Sequence, residues 1–307
     1  MNLIFIYSLP RSGSTLLQRL ISSDEIRTAP EPWVLLGLLS MVTPSLEVNS
    51  DYSYSNLRLA VDELKSMGFD FNASVREFIK KYYNINDDSF FLDKTPRNTY
   101  VLPEVLKTFP DCKHIFLVRS PVCIMNSMIT TWGGVKRWRF RVHLKDFDIG
   151  LNHMLDQYNN DKYLLIKYEE MVINPVVTLN KISDYLKISA RDLSLTDLPN
   201  STMGDKTGLK KFKTVSSESL NNNLAFCNFY RRWRMKRLLL SFDEKKLEYI
   251  GYNLEDELKL LYANTSNKYI FRDLLEELFQ LFKVLLPLRR LKLHKISEFF
   301  IKGTELR

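Results

Sequence analysis

The chain is short of the residues that commonly staple or metallate a fold. Of its 307 residues only three are cysteine, Cys112, Cys123 and Cys227, with no CxxC spacing, and an odd number argues against a disulfide framework. That scarcity predicts a reducing, cytoplasmic compartment. The four histidines, His114, His143, His153 and His294, are scattered without metal-ligand spacing, so no metal site is expected. No apolar run approaches the ~18 residues of a membrane span. The first run, LIFIY, lacks the basic flank of a signal peptide and reads as a core strand instead, so neither a leader nor an amino-terminal anchor is expected. Internal repeats and disordered tracts are missing too, and 45% hydrophobic content suffices for a full core. What the chain has in excess is positive charge. A formal charge of +8 favours anionic ligands or surfaces, without choosing between small anions, membranes and nucleic acid.

The most informative stretch is Leu3–Leu17, LIFIYSLPRSGSTLL. An apolar β-type run passes through Pro10-Arg11-Ser12-Gly13-Ser14-Thr15 into a helical pattern with Leu16, Leu17, Leu20 and Ile21 on one side. At a strand–loop–helix junction, unpaired backbone N–H groups and the helix dipole point the same way and can hold an oxyanion. Gly13 lets the backbone approach an anion, Ser12, Ser14 and Thr15 offer hydroxyls, and Arg11 offers a permanent charge with a fork of donors. It is not a Walker A loop, because Ser8 stands where that pattern needs its first Gly and Ser14 where it needs Lys. Read alone, it could also be an ordinary Ser/Gly-rich turn.

Other segments repeat the theme of polar residues at strand ends. Glu31 lies between Pro30 and Pro32, which restrict its backbone, and the same carboxylate also suits the first turn of the helix at 34–41. Phe90–Pro96, FFLDKTP, reads as a short strand ending in Lys94. His114–Val118, HIFLV, has the continuous apolar character of a buried parallel strand; Arg119 follows it, and Ser127 lies eight residues further along a helix. Lys162–Met171 is a strand ending in YEEM, with Tyr168 at its end. Between these, 54–67 and 72–83 are predicted helices covering the sheet, with Met67 and nearby aromatics in the core. Residues 130–148 interleave Trp132, Trp138, Phe140 and Phe147 with Lys136, Arg137, Arg139, Arg141 and Lys145. That mixture suits an anionic or sugar-bearing acceptor, single-stranded nucleic acid, or a solvated basic edge over packed rings. Near 228–252 the helical pattern returns, with Trp233 and Leu238–Leu240 expected on the core.

PRSGSTLL resembles the phosphosulfate loop of sulfotransferases that use 3′-phosphoadenosine-5′-phosphosulfate, in the branch with Arg after the Pro, as in bacterial, carbohydrate and tyrosylprotein sulfotransferases. The FFLDKTP, HIFLVRSP…Ser127 and YEEM segments match the same family in the same order, over roughly residues 1–255. The resemblance implies that Arg11, Ser12, Gly13, Ser14 and Thr15 hold the 5′-phosphosulfate and Lys94 lies by the transferred group. It further implies that Arg119 and Ser127 grip the 3′-phosphate, and that Tyr168 touches adenine. The aromatic-alcohol branch has a catalytic His where this chain has Pro96; the tyrosylprotein branch has a Glu base where Glu31 stands. Glu31 is therefore the expected base, with His143, Asp93 and His153 as rivals. A late loop closes over the cofactor in relatives; its Arg-Lys-Gly is absent here, and Lys206, Lys210 or Ser216 could substitute.

The expected architecture is α/β: a P-loop-like, parallel sheet of about five strands, near 2–7, 26–29, 90–93, 113–118 and 162–168, with helices on both faces. Residues 1–266 would form the catalytic domain and 267–307 a basic amphipathic helical extension. That extension could pack on the body or a partner subunit, or lie in an anionic membrane interface. The expected reaction is metal-free sulfuryl transfer to a hydroxyl, with a glycan or lipid-linked saccharide as first acceptor, a protein tyrosine or small alcohol next, and no nucleic acid partner. A P-loop-like kinase and a non-catalytic protein on the same fold are the alternatives.

Overall fold

A computed structural model of the chain describes residues 1–43, 52–86, 89–189, 224–263 and 267–285. Five strands, β1 (Leu3–Tyr7), β2 (Ile26–Thr28), β3 (Phe90–Asp93), β4 (Lys113–Val118) and β5 (Leu164–Lys167), form one sheet in the order β2-β3-β1-β4-β5. Every pairing is parallel, with Phe5 opposite Asp93 on one side and His114 on the other.

β1 is apolar at every position because the central strand of a covered parallel sheet is buried on both faces. Its side chains divide by parity. Leu3, Phe5 and Tyr7 enter one core with Val105, Phe109, Phe226 and Leu239. Ile4 and Ile6 enter a second core with Leu17, Leu20, Leu179 and Ile182, from the helices Ser14–Ile21 and Pro175–Leu186. The expected sheet and its two helical layers are therefore present.

The order of the strands singles out one position in the sheet. The chain leaves β1 toward the β3–β2 side and leaves β4 toward β5, so the winding reverses between the carboxyl ends of β1 and β4. A crevice opens at such a switch point, where ligands of open α/β sheets bind. Arg11 follows β1 and Arg119 follows β4.

Some packing expectations need correction. The predicted helices at 54–67 and 72–83 are present as Tyr52–Ser66 and Phe71–Tyr82, and Val61, Val75 and Ile79 are buried. Leu57, Leu64, Phe78 and Tyr82 are exposed, however, and Met67 is 76% exposed rather than part of the core. These helices lie at the periphery, where one narrow stripe suffices to dock them. Leu238 and Leu239 are buried as expected, whereas Trp233 and Leu240 face solvent. In the 130–148 segment, where packed rings were one of the open alternatives, Trp138, Phe140 and Phe147 are core residues, the first two stacked at 4.9 Å, while Trp132 is exposed.

Candidate active site

The loop after β1 takes a conformation that few sequences tolerate. Arg11 has φ +70° and Gly13 φ +91°. A Cβ on Gly13 would also lie 2.4 and 2.5 Å from the Tyr168 ring, so both the backbone angle and the close approach require glycine. The helix Ser14–Ile21 begins directly after it, and its first-turn N–H groups have no intrahelical acceptor. Ser8 and Ser12 are fully buried beside the same loop, and each has a hydroxyl oxygen with no hydrogen-bond partner among the described residues. Buried hydroxyls are ordinarily paired, so an unpaired pair next to a helix amino terminus fits an anion with several acceptor oxygens.

The segment carrying Glu31 is strained as well. Glu31 has φ +40° and Trp33 φ +61°, an unusual region for side-chain-bearing residues that costs on the order of 1–3 kcal/mol each. Pro30 and Pro32 limit the alternatives, and the Trp33 N–H donates to Thr95 Oγ1 at 3.5 Å. Thr95 Oγ1 in turn donates to Asp93 Oδ1 at 3.0 Å. Asp93 also accepts from the Tyr83 hydroxyl at 2.8 Å and from Asn98 Nδ2 at 3.4 Å. Burial pushes the Asp93 carboxyl up to about 6 despite these donors. Asp93 thus anchors the turn that presents Glu31, with both oxygens already engaged.

Lys94, at the end of β3, is 1% exposed. Its Nζ donates to Glu31 Oε1 at 2.9 Å and lies 3.4 Å from Thr15 Oγ1 of the loop. A buried ammonium therefore bridges the candidate base and the candidate anion cradle. At the end of β4, Arg119 Nη1 donates to the Arg11 carbonyl at 3.0 Å, and Arg11 Nε donates to Ser127 Oγ at 3.4 Å. The Arg119 guanidinium stacks over the Tyr168 ring at 4.3 Å. Arg11, Glu31, Lys94, Arg119, Ser127 and Tyr168 come from five separate stretches of chain, Arg119 and Ser127 sharing one, and the fold gathers them around one loop.

The rival bases are placed differently. His153 Nδ1 lies 3.0 Å from the Thr99 carbonyl oxygen. His143 is buried against Trp132, with ring centroids 5.2 Å apart, and burial lowers its pKa to about 4. Lys206, Lys210 and Ser216 lie outside the described residues. Among the described residues no group of three or more His, Cys, Asp or Glu side chains is arranged to hold a metal ion.

Sequence reasoning missed how the Arg119 turn is held. Glu257 Oε2, from the helix Leu254–Tyr262, accepts from Ser120 Oγ at 2.8 Å and from the Val122 N–H at 3.0 Å. Glu169 accepts from the Ser120 N–H at 3.1 Å and from the Tyr252 hydroxyl at 2.7 Å. No local pattern could assign Glu257 to a helix start more than a hundred residues earlier, although the YEEM motif did contain Glu169. Burial, reinforced by Glu169, raises Glu257 to about 7 from an ordinary 4.5. The folded state then holds this proton more tightly than the unfolded chain. The stabilisation is complete below about pH 4.5 and lost as pH rises through about 7. Glu257→Gln keeps an acceptor oxygen and removes the titration. The variant's Tm should fall less than the wild type's between those pH values; parallel Tm curves would contradict the assignment.

With this geometry in place, relatives carry weight. The pattern described as Sulfotransferase family matches residues 3–192, more than half of the chain. The chain belongs to the sulfotransferase family. This sulfotransferase-family chain is 24% identical to the nodulation protein NoeE of Sinorhizobium fredii over 249 residues, covering 70% of the chain and 58% of NoeE. It is 28% identical to protein-tyrosine sulfotransferase 1 of Danio rerio over 210 residues, 64% of the chain and 56% of the relative. The chain thus spans a little over half the length of these curated relatives. Among solved structures, the sulfotransferase domain from the curacin biosynthetic pathway superposes with a TM-score of 0.50 at 19% identity, covering 81% of this chain and 97% of that one, which supports the shared fold.

Proposed function

We propose that this sulfotransferase moves a sulfuryl group from 3′-phosphoadenosine-5′-phosphosulfate to an acceptor hydroxyl. The observation that carries the proposal is the direct contact between the two arginine turns, Arg119 Nη1 to the Arg11 carbonyl, with the Lys94–Glu31 pair on the other side of the same loop. A ligand with anionic groups at two ends fits two adjacent cationic cradles. The hydroxyls of Ser8 and Ser12, without a partner among the described residues, and the close approach at Gly13 fit a phosphate-type group at the loop. Arg11, Ser12, Gly13, Ser14 and Thr15 would hold the phosphosulfate end, Arg119 and Ser127 the 3′-phosphate, and Tyr168 the adenine side. When bound, the donor supplies an electrophilic sulfur and departs as adenosine 3′,5′-bisphosphate.

The protein's own contribution is positioning and charge. Lys94 places a buried ammonium beside Thr15, where it would stabilise negative charge on the departing phosphate of a donor held by the loop. Glu31 takes the acceptor proton. Its Oε1 is held by Lys94, while Oε2 has no partner among the described residues, and the side chain keeps a little solvent exposure. Ser127 and the Arg11 carbonyl keep the two arginines in register.

For the acceptor, exposed Lys136, Arg137 and Arg139 beside Trp132 support an anionic glycan or lipid-linked saccharide. Similarity to protein-tyrosine sulfotransferases supports a protein tyrosine as the second reading. The three cysteines are free, with Cys112 and Cys123 buried, which supports a cytoplasmic setting. Radiolabelled sulfate donor offered to glycan, lipid-linked saccharide, tyrosine-peptide and small-alcohol acceptors tests this directly. Label should enter the saccharides; label in tyrosine peptides alone would reject the glycan reading, and no transfer to any class would reject the activity.

A further inference from the structure

The helix Ile270–Leu285 is attached to the body by the wrong side for an ordinary surface helix. Asp273 is fully buried and receives Arg231 Nε and Nη2 at 2.7 and 2.8 Å, with Asn228 Nδ2 at 2.7 Å. Four residues on, Glu277 pairs with Arg141 at 2.6 Å and with Arg234 at 2.9 Å. Positions i and i+4 share one helix face, so the acidic face is the one turned inward. Phe271, Leu274, Leu275 and Leu278, on the opposite face, are 81, 41, 66 and 51% exposed. Arg231 is locked further by the Val135 and Ala225 carbonyls and by the Trp138 ring at 5.1 Å, so the docked orientation is over-determined. Phe271 also borders an open recess of about 570 Å³ with Phe229, Tyr269, Ile270 and Arg272.

A contiguous apolar face held outward by a buried ion pair calls for an occupant. We infer that this face is a peripheral membrane-binding surface that inserts into anionic lipid. Charge decides between lipid and a second copy. The chain carries +8, and residues 286–304 hold five cations, Arg289, Arg290, Lys292, Lys295 and Lys302, against the single acid Glu298. Two such chains repel, whereas a negatively charged leaflet attracts a basic segment adjoining an inserted apolar face. No helix among the described residues is long and apolar enough to cross a membrane, so the helix lies on the surface instead of spanning it. The sequence pattern had allowed the apolar stripe to pack on the body; in the first turns of this helix the polar stripe does so. This inference does not depend on the chemistry of the active site.

The test uses the full chain in sedimentation with vesicles of phosphatidylcholine alone or mixed with phosphatidylglycerol. The wild type should bind the mixed vesicles, bind the neutral ones weakly, and dissociate as salt is raised. Leu275→Asp combined with Leu278→Asp should weaken mixed-vesicle binding by roughly tenfold or more. Phe78→Asp, at an exposed apolar position on another helix, should leave it unchanged. Both changes are at solvent-facing positions, and circular dichroism checks that the variants stay folded. Absence of wild-type binding, equal binding to both vesicle types, or undiminished binding by the double variant would each overturn the inference. A concentration-dependent dimer dissolved by the same substitutions, without vesicle binding, would assign the face to a second copy.

Discussion

Lys94→Ala should lower kcat by roughly a hundred- to a thousandfold, the scale seen when one preorganised charge-stabilising donor is removed. Two losses combine in this variant. The ammonium 3.4 Å from Thr15 disappears from the place where the proposed reaction would develop leaving-group charge, and Glu31 loses the cation that fixes its Oε1. Removing one member of a buried pair also leaves the other desolvated, so some destabilisation should accompany the kinetic effect. Thermal melting separates the two. A variant that melts within a few degrees of the wild type yet has lost turnover places Lys94 in the chemistry; a folded variant with near-normal kcat removes it from there. Arginine should not rescue activity, because the site encloses a compact ammonium almost completely and a planar guanidinium would not fit.

Glu31→Gln tests the proposed base. Glutamine keeps the acceptor oxygen for Lys94 and the shape of the strained turn, but takes no proton at neutral pH. Turnover should drop roughly a hundred- to ten-thousandfold, with donor affinity little changed. The same experiment on the rivals sharpens the assignment. His143→Gln should retain most activity, since the His143 ring is buried against Trp132. Asp93→Asn should disturb the turn through Thr95 and Trp33 and show itself as a loss of stability as well as rate. A fully active Glu31→Gln enzyme would move the base elsewhere.

These expectations rest on features that the sequence displayed unevenly. The strand, loop and helix at 3–21 were legible because a continuous apolar run, a Ser/Gly turn and a 3.6-residue stripe follow one another without interruption. The strand ends bearing Lys94, Arg119 and Tyr168 were legible for the same reason. That Arg119 reaches the Arg11 carbonyl was a consequence of strand order, which depends on crossovers that no local pattern encodes. The left-handed backbone at Glu31 and Trp33 was invisible, since neither is glycine; the flanking prolines hinted only at restriction. Aromatic residues were the most ambiguous. Trp138 and Phe140 look like Trp132 in sequence, yet they are buried, and Arg231 meets the face of Trp138 because a buried Asp273 from a distant helix holds it there.

The central claim is that Arg11 and Arg119 hold the two anionic ends of one nucleotide, and calorimetry with adenosine 3′,5′-bisphosphate and with adenosine 5′-monophosphate tests it most directly. Wild-type protein should prefer the bisphosphate by roughly ten- to a hundredfold, the worth of a charge-assisted contact to the extra phosphate, and Arg119→Ala should erase that preference while binding the monophosphate almost as before. A preference that survives in Arg119→Ala, or equal affinity for the two nucleotides in the wild type, would contradict the account.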